Sequence, residues 1–173
     1  MALVVLLRGV NVGGARTFRP SEIVKELADY DVVNIGAAGT FVVRKPIAQK
    51  KLRAELQRRL PFEADIMICE GREFMSIAEK DRFLGLPSRP EIVRFLSVSE
   101  KPHPKLPPLP IILPADGEWL LRIVASEGRF VFGAYRRHMK AITYLGRIEK
   151  IFGVPLTTRN WNTVGSIISV LKA

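Results

Sequence analysis

A chain of 173 residues, 47% hydrophobic and 25% charged, has the makeup of an ordinary globular protein, long enough for one domain or two small fused halves. Its 27 Lys and Arg outnumber 17 Asp and Glu, and the net charge of +10 points toward an anionic partner. No apolar run approaches the ~18 to 20 residues that span a bilayer, and residues 1–14 lack the pattern of a secretory signal, so no membrane partner is expected.

Ala2 to Leu7 is a continuous apolar run, suited to a central strand buried on both faces. Pro20 opens a helix with Ile23, Val24 and Leu27 on one stripe. Val32 to Ile35 and Thr40 to Arg44 form a hairpin across Gly36–Gly39, and from Pro46 a second helix spaces Leu52, Leu56 and Leu60 by four. Asp65 to Glu70 is a fourth strand and Arg72 to Lys80 a short helix. The order is β-α-β-β-α-β, a ferredoxin-like or split-βαβ plan with an added helix.

The second half repeats it. Glu91 to Val98, Trp119 to Val124 and Arg129 to Tyr135 are strands, and Lys140 to Phe152 is a helix stopped by Gly153 and Pro155. Pro155 to Thr158 is extended, and a last helix carries Val164, Ile167, Ile168 and Leu171 on one stripe. The first crossover helix has no counterpart here, because Lys101 to Pro114 holds six prolines in fourteen residues. An extended, partly polyproline-II connection is expected there, packing Leu106, Leu109, Ile111 and Ile112 onto the sheet. The fold class is thus α+β, with a first half at 1–80, a linker at 81–90 and a second half at 91–173 that includes the C-terminal helix. Each half should hold a four-stranded sheet with helices on one face.

The single cysteine, Cys69, sits in an apolar strand and reads as a buried hydrophobe, consistent with a reducing, cytoplasmic setting. With only His103 and His138 beside it, no spaced metal-ligand cluster is available. No nucleotide-phosphate or catalytic-triad motif occurs either, so neither a metal nor a cofactor is expected.

Two segments carry a family resemblance: LLRGVNVGG at residues 6–14 and GVPLTTRNWNTV at residues 153–164. They resemble the opening and closing signatures of the DUF1697 family, and the order of elements between them is similar too. The resemblance implies an α/β fold of two ferredoxin-like halves in a bacterial, cytoplasmic protein, and it implies no reaction. The chain departs from the family pattern at Ala38-Gly39-Thr40, where many members carry Ser-Gly-Asn, and at Ala141-Ile142, where a Ser-Lys pair is typical. Those changes imply either a lost or altered common activity or a branch that uses Arg136, Arg137 and Lys140.

Three segments are candidate sites. Arg8, Asn11, Gly13 and Gly14 lie between a strand and a helix, where backbone N–H groups can cradle a phosphate. The bland alternative pairs Arg8 with a carboxylate and uses Asn11 to satisfy turn amides. Residues 157–163 open the last helix, with Thr158 or Asn160 as cap, Trp161 as core anchor or stacking platform, and Arg159 and Asn162 beside an anion-friendly helix start. Arg136, Arg137 and Lys140, with Arg147 and Lys150, form the densest basic patch, either a solvated face or a polyanion footprint. Phe130 and Phe132 invite comparison with RNA-binding strands but lack the order of the RNA-recognition octapeptide. The reading is a binding protein for nucleic acid or a phosphorylated small molecule. The alternative is a small-molecule enzyme with a site between the two halves.

Overall fold

The computed structural model describes residues 1–11, 14 and 16–173, so Gly13 lies outside the described residues. The chain forms two compact units, residues 1–80 with 162–173 and residues 81–161. The last helix beyond Trp161 thus groups with the first unit, not with the second half to which its place in the chain assigns it.

In the first unit, β1 (Leu3–Arg8), α1 (Pro20–Glu26), β2 (Val32–Asn34), β3 (Thr40–Val43), α2 (Gln49–Arg59), β4 (Asp65–Glu70) and α3 (Gly71–Ala78) follow one another. The sheet order is β2-β3-β1-β4 with every neighbouring pair antiparallel. Each α-crossover therefore joins two strands that have a third between them. Leu3, Val5 and Leu7 of β1 pack with Phe41 and Val43 of β3, Ile66 and Ile68 of β4, Ile23 and Leu27, and Leu52 and Leu56 of α2. Val4 and Leu6 on the opposite face are fully buried too, as a central apolar run requires.

In the second unit, β5 (Ile92–Val98), β6 (Ile111–Leu113), β7 (Leu121–Glu127), β8 (Phe130–Arg136), α4 (Met139–Phe152) and β9 (Thr157–Asn160) build a five-stranded sheet. Its order is β6-β7-β8-β5-β9, again antiparallel throughout. Phe95, Leu121, Ile123 and Val131 on one face pack against Ile148 and Phe152 of α4. Gly133 is required there, since a Cβ would lie 2.5 Å from the Phe95 ring. The proline segment supplies the fifth strand, β6, which the four-strand expectation lacks. Of the apolar residues of this segment, Ile111 and Leu113 pack on the core. Leu106 and Leu109 lie outside β6 and are exposed, and Ile112 is exposed because a strand alternates its side chains and three residues bury one face only.

Residues 161–172 form α5, Trp161–Lys172, with Val164 and Ile167 fully buried. Ile168 and Leu171 are half-buried, so the stripe is narrower than its periodicity implies. In the first unit Leu171 meets Gly71, where a Cβ would stand 2.9 Å from its Cδ2. No helix among the described residues is long and apolar enough to cross a membrane.

Candidate functional site

The opening signature is bound up with its own loop. Arg8, in register with Asp65 across β1 and β4, donates to that carboxylate at 3.0 Å. Asn11, at φ 53°, donates from Nδ2 to the Ala37 carbonyl at 2.9 Å and accepts the Phe18 amide at 3.0 Å. Its own amide donates to the Arg16 carbonyl at 3.1 Å. A short amide side chain tolerates the left-handed region and closes such a turn. Gly9 and Gly14 also have positive φ, at 68° and 77°.

The closing signature differs from a helix opening. Thr157–Asn160 is an edge strand laddered to β5, so Thr158 is no helix cap: its hydroxyl pairs with that of Ser97, its cross-strand partner, at 2.6 Å. β-Branched threonines beside an unpaired strand edge favour this outcome. Asn160 is exposed and immediately precedes α5. Arg159 is buried, and its Nη1 donates to the Thr157 hydroxyl at 2.6 Å and the Thr158 carbonyl at 3.0 Å. Desolvation lowers its pKa to about 10, which leaves it a cation at neutral pH. Trp161 is half-buried with its ring 4.7 Å from Phe83 and 6.2 Å from Phe132. Asn162 is exposed, and its carbonyl accepts the Ser166 hydroxyl at 3.2 Å.

The basic run divides. Arg136 is not solvated: Nε donates to the Trp119 carbonyl at 2.8 Å, Nη1 meets Glu118 at 3.2 Å, and the guanidinium lies 4.6 Å from the centre of the Trp119 ring. Arg137 is exposed and donates to the Pro90 carbonyl at 3.1 Å. His138 caps α4 by accepting the Lys140 amide at 3.1 Å, leaving the Lys140 side chain in solvent. Arg147 and Lys150 are exposed further along α4. Glu149, the single acid among residues 137–150, accepts the Leu156 amide at 3.0 Å. Phe130 and Phe132 are buried and offer no stacking platform.

Two features escape sequence reasoning. Arg94 of β5 and Arg122 of β7 both face Ala134 of β8 across the ladder, a row that register alone creates. His103, in the proline segment, is buried with Nε2 2.9 Å from the Ser126 hydroxyl and its ring 4.9 Å from that of Phe152. Spacing in the chain gives no signal for either. A cleft of about 400 Å³ in the first unit is lined by Thr17, Phe18, Arg19, Glu22, Arg59 and others, and none of the described candidate residues is among them.

Comparison with known proteins bears on this geometry. The solved structure of a conserved bacterial protein, SP0830 from Streptococcus pneumoniae, superposes with a TM-score of 0.63 at 15% identity, covering 98% of each chain. At that identity the likeness concerns the fold alone. No curated protein matches the chain. The model of a family described as "Protein of unknown function (DUF1697)" matches residues 1–106, which include the opening signature, and the chain belongs to that family.

Proposed function

We propose that this protein binds an anionic partner, nucleic acid or a phosphorylated ligand, and that the second unit carries the contact surface. The observation that carries this reading is the solvent-facing set Arg137, Lys140, Arg147 and Lys150, among which Glu149, the one acid, is turned back onto the Leu156 amide. Four exposed cations without an interleaved exposed acid hold a positive potential where they stand. Arg136 supports the surface from below, by fixing the Trp119 loop, rather than touching the partner.

We assign the exposed Asn160 and Asn162 of the closing signature to the ligand, with Trp161 holding them in place through Phe83. Arg8, Asn11 and Gly14 then shape the opening loop, and Arg159 anchors β9. We further infer a ferredoxin-like plan for each unit, supported by the order β2-β3-β1-β4 in the first and β7-β8-β5-β9 in the second, with β6 in place of a crossover helix. A cytoplasmic setting accords with the lone, buried Cys69, and a bacterial one with the likeness to a conserved bacterial protein.

The test is a fluorescence-anisotropy titration with single-stranded RNA and DNA over a range of salt. Counterion release gives a slope of about −0.7 per phosphate neutralised, so replacing Arg137, Lys140 and Lys150 by Gln should flatten log affinity against log salt by about 2 units. Absence of binding at low salt to these strands would overturn the nucleic-acid arm of the reading.

A further inference from the structure

A row of side chains crosses four strands of the second sheet on the face opposite α4: Ile112 of β6, Arg122 of β7, Ala134 of β8 and Arg94 of β5. Residues directly opposite in an antiparallel ladder point to the same side, so the two arginines rise on either side of a methyl group. Their Cα atoms stand two strand spacings apart, roughly 10 Å. Each guanidinium is propped on an aromatic ring, Arg94 at 5.3 Å from the centre of Phe83 and Arg122 at 4.5 Å from that of Trp119. Both are half-buried. Among the described residues neither has a carboxylate, carbonyl or hydroxyl partner, and the Nε of Arg122 is buried without an acceptor.

Three other arginines of the second unit do have acceptors. Arg136 meets Glu118, Arg82 meets Glu127 at 2.7 Å, and Arg159 has its threonine hydroxyl. A half-buried cation ordinarily has its donors satisfied. Two such cations flank the smallest side chain of the row, the fully buried Ala134, and neither charge is matched by a carboxylate among the described residues. A carboxylate would engage one guanidinium fork and leave the other charge unmatched. A tetrahedral dianion has oxygens for both forks and matches their summed charge.

We propose that Arg94 and Arg122, across Ala134, form a binding site for the phosphate group of a phosphate monoester. The site rests on the anionic-partner reading but uses none of the surface cations assigned above. Phosphate monoesters lose their second proton near pH 6, so affinity should fall as pH drops below that value.

The experiment is isothermal titration of the full chain with adenosine monophosphate and, separately, with adenosine and inorganic phosphate at pH 7.5 and 5.5. Binding of the phosphate-bearing probes at pH 7.5, weakened at pH 5.5 and absent for adenosine, is the expected result. Arg94→Gln and Arg122→Gln should each weaken it roughly 10- to 100-fold, as loss of a charge-assisted bond does. Arg94→Lys and Arg122→Lys, which keep charge and stem but lose the fork, should fall between wild type and Gln. They serve as the second set if a Gln variant loses its native circular dichroism. Undiminished binding in the Arg94 and Arg122 variants, with loss in Arg137→Gln/Lys140→Gln, would overturn this site and leave the anionic-partner reading standing. Failure of both the phosphate probes and the single strands to bind wild-type protein would overturn both.

Discussion

At Gly39 the backbone sits at φ 78°, and a Cβ would lie 2.7 Å from that of Leu7 and 2.8 Å from the Val10 methyl. An added methyl therefore meets both left-handed strain and a close-packed strand. Gly39→Ala should cost roughly 1 to 3 kcal/mol in urea melts. His103 offers a second test at this scale. Burial lowers its pKa below the ordinary 6.5, while the Phe130 backbone pulls weakly the other way. The unfolded chain thus takes up the proton first as pH falls, and the folded state loses stability from about pH 6.5 down to the depressed native value. Urea midpoints should decline over that window, and His103→Asn should show a shallower decline. An identical slope in the variant would mean that carboxylates alone set it.

Among the elements, α5 separates depth of burial from periodicity. Val164, Ile167, Ile168 and Leu171 share one helical stripe in the sequence, yet only the first two are fully buried. Ile167→Ala should cost about 2 to 5 kcal/mol, and Leu171→Ala about 1 to 2 kcal/mol, because half its surface transfer is already forgone. Equal losses would show that the half-buried end of the helix packs as tightly as its middle. The same contrast explains which elements the chain discloses in advance. Asp65 to Glu70 and the Pro20 helix start are read directly, since apolar runs and a proline at the first helical turn act locally. The strand at Thr157–Asn160 is legible only in part, as the extended stretch Pro155 to Thr158, because its hydrogen bonds come from β5, some sixty residues earlier. Likewise β6 emerges from a proline-rich stretch only because β7 supplies a partner for three residues between Pro110 and Pro114.

For the whole molecule, net charge is visible in composition but its placement is not. Arg136 and Arg137 are neighbours in sequence, and yet one is tied to Trp119 and Glu118 while the other faces solvent. The order of secondary elements in the first unit follows from periodicity, as does the repeat of strands in the second. What sequence leaves out is register, the property that sets Arg94 and Arg122 on either side of Ala134. A site built from three strands has no spacing to read.

The short strand β6 forms one border of the second sheet, and a sheet border is a template for another chain. Its three residues lie between Pro110 and Pro114, neither of which has an N–H to donate, so an incoming strand finds a ladder interrupted at both ends. The prolines that remove a crossover helix thereby also guard the protein against self-association in the manner of amyloid. Replacing both with Thr should extend the available edge through β-branched residues, and thioflavin-T fluorescence at high protein concentration should then rise faster than for the wild-type chain.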